Sequence, residues 1–166
     1  LNSILFADWA NMFVSAHDPE LIRRMLAGIR QDPEMFKSLC VREVTVIEDP
    51  DMTDREIFFP ASPILLKRWR EDNGFDHIVY TDEAANALLT ENLRKKLQAV
   101  GIDDPTATAS FVPDKGKAKV MLIDYRGVKN KASWCPIRII GNAETKLFAW
   151  NAGIGNSTGI GFGAIK

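Results

Sequence analysis

The sequence is poor in the residues that most often carry catalysis or bind metals. It has two histidines and two cysteines among 166 residues. His17 and His77 are far apart in the chain, and no cluster of His, Cys and Asp has the spacing of a metal site. No serine stands in the context of a nucleophile elbow. We therefore predict no catalytic residue, no metal and no cofactor in this chain.

Two other features are missing. No apolar run approaches the roughly 20 residues that cross a membrane, and no basic segment followed by an apolar one opens the chain as a secretory signal would. Cys40 and Cys135 each stand alone in apolar surroundings, which predicts two buried thiols rather than a disulfide. We expect a cytoplasmic protein.

The length bounds the number of domains. With 166 residues, 46% of them hydrophobic, the chain can bury one core and needs no second. The prediction is one domain over residues 1–166. The first residue is Leu1 rather than methionine, and a strand-like pattern begins at once. We therefore expect that further residues precede this chain.

The apolar pattern predicts an α+β fold. Strands are expected at residues 4–15, 41–47, 57–59, 64–66, 78–80 and 106–112. A helix should start at Asp18 and Pro19, and a second at Asp82. The buried stripe of the second helix is predicted as Ala85, Leu88, Leu89, Leu93, Leu97 and Val100, with Gly101 as its stop. The order β-α-β-β-α-β is the ferredoxin-like (RRM-like) arrangement.

The last third of the chain adds a hairpin to this fold. Residues 117–125 and 134–140 have strand chemistry, and residues 126–131 form a long basic connection between them. A last strand is expected at residues 145–150. It should lead into a glycine-rich loop, and a short strand at residues 162–165 should close the chain.

Charge is divided unevenly along the sequence. Residues 1–114 contain 12 Lys and Arg against 20 Asp and Glu, a net charge of −8. Residues 115–166 contain 9 against 2, a net charge of +7. A basic segment on an acidic body is typical of a local anionic partner. The alternative is a basic surface that only contacts solvent.

The basic hairpin is the first predicted binding element. If residues 115–119 are extended, their three alternating lysines leave the same face of the strand. The cations at the tip could then follow the backbone of an RNA stem, which proteins recognise largely through phosphates and shape. The competing explanation is that edge lysines prevent aggregation between sheets.

The glycine-rich loop, residues 153–163, is the second element. It holds five of the eleven glycines, interrupted by bulky apolar residues that a flexible linker would lack. It is no P-loop, because the only nearby lysine is the final Lys166, and no helix follows it as in a Rossmann fold. Amides of a tight glycine loop can bind an anion, although a glycine-rich bulge that closes a sheet is the alternative. The predicted RNA-binding residues are Lys115, Lys117, Lys119, Arg126, Lys129, Lys131, Gly153, Gly155, Asn156, Ser157, Thr158, Gly161 and Gly163.

The spacing of the loop carries a family resemblance. Gly153-Ile154-Gly155, five residues, then Gly161-Phe162-Gly163 resembles the C-terminal glycine-rich motif of the CRISPR repeat-processing endoribonucleases, the Cas6 family of the RAMP superfamily. The corner at Ala61-Ser62-Pro63-Ile64, the helix with Asn92-Leu93 and the segment Ile140-Gly141-Asn142 are similar to family features in the same order.

The resemblance implies two ferredoxin-like domains in tandem, of which this chain is the C-terminal one. It implies an enzyme that cuts precursor CRISPR RNA within repeats, without metal, by attack of a ribose 2′-hydroxyl. The general-base histidine of the family usually lies in the N-terminal domain, so no catalytic residue is carried over. Implied partners are CRISPR repeat RNA and crRNA, with other CRISPR effector subunits and a second copy of the chain as further candidates.

Two alternatives stay open. The chain could be a non-catalytic RAMP subunit of a CRISPR ribonucleoprotein. It could instead be a phosphate- or nucleotide-binding protein that uses the glycine loop.

Overall fold

The computed structural model describes residues 8–35 and 39–166. The chain divides into two compact units, Leu1–Val44 and Thr45–Lys166. In the first unit, helix α1 spans Pro19–Gln31. The Asp18 carboxylate accepts a hydrogen bond from the Glu20 amide at 2.9 Å, with Pro19 in the first turn, so the predicted helix start is confirmed.

Two predicted strands are wrong. Residues 8–15 form no strand, and residues 4–7 of the same prediction lie outside the described residues. Residues 41–47 also form no strand, although they are rich in β-branched side chains. Strand preference depends on a neighbour to pair with, and these residues pair with none of the named strands.

The two cysteines lie in different surroundings. Cys40 is exposed, so its predicted burial is wrong. Cys135 is buried as predicted, and burial raises the pKa of its thiol to about 11. The buried thiol therefore stays protonated near neutral pH.

The second unit mixes two helices with antiparallel strands, which confirms the α and β content. The helices are α2 (Ala85–Ala99) and α3 (Ala143–Ala152). The strands are β1 (Ile57–Phe58), β2 (Leu66–Trp69), β3 (Phe75–Ile78), β4 (Thr108–Phe111), β5 (Lys119–Tyr125), β6 (Val128–Trp134) and β7 (Ile137–Ile140). β7 is the centre of a three-stranded sheet in the order β1-β7-β4, while β2-β3 and β5-β6 form two hairpins.

Helix α2 supplies one wall of the core. Ala85, Leu89, Leu93 and Leu97 recur every four residues and are buried, as predicted. Val100 is 45% exposed, because it follows the last turn of the helix, so its place in the predicted stripe is wrong. None of the three helices in the described part of the chain has the length and apolar character needed to cross a bilayer.

Helix α2 also starts later than predicted. Its N-cap is Ala84, and Asp82 instead holds the preceding turn. The Asp82 carboxylate accepts from the Val79 amide at 2.6 Å, and its carbonyl accepts from the Ala85 amide at 3.0 Å. The predicted stop at Gly101 is confirmed by its φ of +80°.

The predicted strand at residues 145–150 is wrong, because these residues lie in α3. The Asn142 side chain accepts from the Thr145 amide at 2.7 Å and caps the helix. Thr145, Phe148 and Ala149 are buried at helical spacing. The apolar run within residues 147–150 is therefore one face of a buried helix rather than a strand.

The strands of the hairpin region also differ from prediction. The predicted strand at residues 134–140 is broken at Cys135 and Pro136, because proline has no amide to donate to a ladder. The predicted long connection is a two-residue turn, Arg126-Gly127, with φ of +53° and +80°. Positive φ at both positions is the geometry of the type I′ turns that join tight hairpins.

Asp104 connects the approach to β4 with the start of α3. Its carboxylate accepts from the Asn142 amide at 2.8 Å and from the Thr145 hydroxyl at 2.7 Å. It also accepts from the Thr106 hydroxyl at 2.6 Å. Burial acts to raise the pKa of Asp104, but these hydrogen bonds together lower it to about 2.

We predict that Asp104→Ala destabilises the fold by roughly 1–2 kcal/mol at neutral pH, because the Asn142 amide and the Thr106 and Thr145 hydroxyls lose a charged hydrogen-bond acceptor. The folded pKa of about 2 lies below the ordinary value of 3.8. The stabilisation is therefore complete above about pH 4 and is lost as the pH falls towards 2. Urea unfolding at several pH values measures this, with the exposed neighbour Asp103→Ala as control. A stability difference that does not shrink in acid would contradict the prediction.

Candidate nucleic-acid interface

The glycine-rich loop begins at the end of α3 and crosses its own backbone. Gly153 ends the helix with φ of +72° and donates its amide to the Ala149 carbonyl at 2.9 Å. The Ile154 amide donates to the Gly163 carbonyl at 2.9 Å. A Cβ atom on Gly163 would collide with the Ile154 carbonyl oxygen. The φ of Gly163 is +72°, a value that residues with a side chain rarely adopt. Both the collision and this φ therefore require glycine at position 163.

The loop is hydrogen-bonded to strand β2 and to the turn before it. The Asn156 amide donates to the Leu65 carbonyl at 2.7 Å, and the Asn156 side-chain oxygen accepts from the Lys67 amide at 2.8 Å. The Gly163 amide donates to the Pro63 carbonyl at 2.9 Å. Several polar groups predicted to bind an anion therefore hold the loop against the protein itself.

The chain after the loop follows the corner at residues 59–63. The Ala164 carbonyl accepts from the amides of Ala61 and Ser62 at 2.8 and 3.1 Å. The predicted closing strand at residues 162–165 is wrong, because pairing is limited to one bridge between Pro60 and Ile165. A proline in the corner interrupts any longer ladder.

The tip of the loop keeps free donors. Within the described residues, the backbone amides of Ser157, Thr158 and Gly159 have no hydrogen-bond acceptor. Ser157 has φ of +61°, and a 3₁₀ turn at Thr158–Ile160 follows it. Gly153, Gly155 and Gly163 are buried, whereas Gly161 is exposed. Of the predicted loop residues, those at the tip are the ones that can still reach a ligand.

Lys96 on α2 is a residue that the sequence analysis missed. Its ammonium donates to the Gly153 carbonyl at 3.1 Å and to the Thr158 hydroxyl at 3.4 Å. Burial lowers its pKa to about 8. The signal was its position beside Leu93 and Leu97, which places it at the edge of the buried stripe of α2.

The predicted row of three lysines on one strand face is wrong. Lys115 lies in a 3₁₀ turn, Pro113–Lys115, and forms an ion pair with Asp114 at 3.4 Å. Lys117 precedes the strand, and Lys119 is the first residue of β5. Pro113 and Gly116 interrupt the extended chain here.

The remaining predicted cations lie on the β5-β6 hairpin. Lys129 and Lys131 pair with Asp124 and Leu122 across the ladder, so they share one face, and Lys119 lies on the other. The Arg126 guanidinium stacks over the Tyr125 ring, 5.5 Å from its centroid. All four cations are exposed, with Lys129 and Lys131 on the outer face, Arg126 at the tip, and Lys119 at the end of the face whose Ile123 and Ala132 are packed in the fold.

A small apolar cluster joins the hairpin to the glycine loop. Leu65, Ala132 and Phe162 are buried against one another, and Ile123 packs on them. A bridge between Ile64 and Ser133, with hydrogen bonds of 2.7 and 2.8 Å, holds β6 beside the start of β2. The two elements that the sequence analysis selected separately therefore meet in the folded chain.

Metal ligation has no support in this region. Among residues 8–35 and 39–166, no group of three His, Cys, Asp or Glu side chains could hold a metal ion. His77 lies on β3, where its ring packs edge-on against Phe75 with centroids 5.1 Å apart.

Comparison with known proteins identifies the family. The model of the family "CRISPR associated protein Cas6, C-terminal" matches residues 47–166, most of the chain. This chain belongs to the Cas6 family. The predicted resemblance is thereby confirmed.

Two curated relatives and three solved structures are similar to this Cas6-family chain. Both relatives are named as CRISPR-associated endoribonuclease-like proteins. Cas6nc of Pyrococcus horikoshii is 23% identical to this chain, and the alignment covers 98% of this chain and 70% of the relative. Cas6 of Pyrococcus furiosus is 21% identical, and the alignment covers 98% of this chain and 69% of the relative. The structures are the product of a Cas6-related gene from Pyrococcus furiosus (TM-score 0.75, 22% identity), CRISPR associated protein Cas6 (0.73, 23%) and a RAMP protein that binds different RNA substrates (0.74, 23%). Each aligns with 92% of this chain, which spans 65% of each of those chains.

We predict that Gly163→Ala destabilises the second unit by roughly 2–4 kcal/mol, because a side chain there is strained by φ and collides with backbone. Gly159→Ala is the matched control, since its Cβ would meet no atom within 4 Å. Its effect should stay within about 0.5 kcal/mol. Denaturant unfolding of both variants measures the difference, and equal stabilities would show that the loop is not held by this crossing.

A second prediction concerns Lys96. Its folded pKa of about 8 lies below the ordinary 10.5, so the unfolded state binds more protons between these values. This residue should therefore make stability rise with pH from about 8 to about 10.5. Subtracting the unfolding free energy of Lys96→Met from that of the wild type isolates the effect. Lys95→Met, whose side chain is 71% exposed, is the control. If the difference in unfolding free energy between the wild type and Lys96→Met does not change across this pH range, the lowered pKa of Lys96 is contradicted.

Proposed function

We propose that this chain is the RNA-holding portion of a CRISPR-associated endoribonuclease that processes precursor CRISPR RNA within its repeats. The observation that carries the proposal is the meeting of the basic hairpin and the glycine loop at the cluster of Leu65, Ala132 and Phe162. A cationic hairpin beside a loop with free amides suits the phosphates of RNA.

The charges of the hairpin support this function. Within the described residues, Lys119, Arg126, Lys129 and Lys131 form no ion pair with a carboxylate. Binding a phosphate would therefore release counterions without breaking existing salt bridges. Arg126 is also held over the Tyr125 ring, so its side chain loses less freedom when it binds.

The proposal extends to the chemistry of the whole protein. In this proposal the protein cuts by attack of a ribose 2′-hydroxyl without a metal, and its general base lies outside this chain. This chain is then the C-terminal one of two ferredoxin-like domains, acts in the cytoplasm, and contacts repeat RNA and other CRISPR effector subunits. The similarity to the solved Cas6 structures supports the part of this proposal that concerns the fold.

Repeat RNA should bind this chain with a steep salt dependence. Replacing Lys119, Lys129 and Lys131 with glutamine should reduce the slope of log affinity against log salt by about 2 to 3, since each lost phosphate contact removes roughly 0.7–0.9. Fluorescence anisotropy titrations at several salt concentrations measure the slope. Glutamine at Arg23, Arg24 and Arg30 on α1 is the control, and an unchanged slope in the hairpin variant would overturn the proposal.

The same assays separate the alternatives. We expect binding of repeat RNA without cleavage by this chain alone, and metal-independent cleavage would place the general base within it. Stable association with other CRISPR subunits, with repeat RNA never cut by the longer protein, would support a non-catalytic subunit. Thermal stabilisation by mononucleotides but not by RNA would support a nucleotide-binding protein.

A further inference from the structure

The β2-β3 hairpin has one aromatic face that the proposed function does not use. Trp69 pairs with Phe75 and Lys67 pairs with His77, so these four side chains leave the same face. The Trp69 and Phe75 rings meet edge-on with centroids 5.5 Å apart, and Phe75 meets His77 in the same way at 5.1 Å. Trp69 is 68% exposed although it ends a row of three rings.

Charge distinguishes this aromatic face from the other face of the same hairpin. The Lys67 ammonium lies 4.5 Å from the centroid of the Phe75 ring, and it has no carboxylate partner in the described part of the chain. On the opposite face, Arg68 is paired with Asp76 at 3.6 Å. The aromatic face therefore combines one exposed ring, Trp69, and two half-buried rings with an uncompensated positive charge.

The aromatic face is continuous with the glycine loop. The Asn156 amide donates to the carbonyl of Leu65, just before β2, and its side-chain oxygen accepts from the Lys67 amide in β2. Leu65, the residue before β2, is buried against Phe162 of the loop. Trp69 lies two residues beyond Lys67, about 7 Å along the strand. A strand of RNA on the loop tip could therefore extend over Trp69.

We propose that this aromatic face binds unpaired nucleobases of RNA, with Trp69 as the principal stacking platform. The inference rests on the proposed RNA binding and names the form of RNA that is held. Single strands are bound by exposed aromatic rings, on which bases stack, beside cations that track the backbone. A protein interface would also be rich in aromatic rings, but it is depleted of lysine, whereas this face carries Lys67 over a ring and without a carboxylate partner among the described residues.

Binding of a short single-stranded oligoadenylate and of a blunt RNA duplex of equal length tests the inference. Trp69→Ala should weaken binding of the single strand roughly 5- to 150-fold, the effect of losing one stacked base. The salt slope should not change, because no phosphate contact is lost. Duplex affinity should also stay the same, because paired bases cannot stack on the ring.

Two further variants complete the design. Trp9→Ala removes an equally exposed tryptophan, 65% exposed, from the first unit and should have no effect. Trp69→Phe should retain most of the affinity for the single strand. The decrease in tryptophan fluorescence caused by oligoadenylate should disappear in this variant. The fluorescence measurement on Trp69→Phe does not depend on a loss of affinity. It therefore tests the inference even if Trp69→Ala folds poorly.

The outcomes separate the two proposals. If the wild type binds the single strand and Trp69→Ala binds as tightly as Trp9→Ala, the stacking platform is overturned and RNA binding stands. Binding of the duplex alone by the wild type would also overturn only the platform. If the wild type binds repeat RNA but neither probe, only the platform is overturned. If it binds none of the three RNAs at any salt concentration, the proposed function fails together with this inference.

Discussion

The crossing of the backbone at Gly163 is the contact on which the candidate interface depends. The carbonyl of Gly163 accepts from Ile154 while its amide donates to Pro63, so three segments meet within one residue. No side chain fits between them. This contact folds the glycine loop back onto the corner at residues 59–63 and places Phe162 in the cluster with Leu65 and Ala132. The basic hairpin, the loop and the β2-β3 hairpin then share one region of the second unit.

The loop combines a fixed base with a tip that retains free donors. The Gly153 carbonyl accepts a hydrogen bond from Lys96. Asn156 is hydrogen-bonded to Leu65 and to Lys67 of β2. Burial of the Lys96 ammonium is costly, and its lowered pKa reflects that cost. The hydrogen bond from Lys96 to the Gly153 carbonyl at the end of α3 offsets part of this cost. Donors at Ser157 and Thr158 are thus presented on a base that does not need to reorganise, which is favourable for binding.

The cations and rings lie on more than one surface. Lys129 and Lys131 occupy the opposite face of their hairpin from Lys119, and they cannot all contact one flat partner. Because the Lys119 face is packed against Leu65 and Phe162 through Ile123 and Ala132, an RNA that contacts all three lysines must bend at the end of the hairpin or be single-stranded for part of its length. The aromatic face of β2-β3, with Trp69 at its exposed end, offers a place for such unpaired bases.

Local chemistry was sufficient for several predictions. Asp18 with Pro19 started α1, the leucines of α2 marked its buried face, and the paired Gly-hydrophobic-Gly units indicated the Cas6 family. The apolar content of residues 145–150 suits either a helix or a strand. The Asn142 cap and the hydrogen bond from Asn142 to Asp104 favour the helix that the structure shows. Residues 41–47 have strand chemistry but no strand partner. The sequence by itself determined which residues are apolar, charged or able to adopt positive φ. Only the tertiary structure decided which lysines share a face and that Lys96 meets the loop, because those contacts join residues distant in the chain.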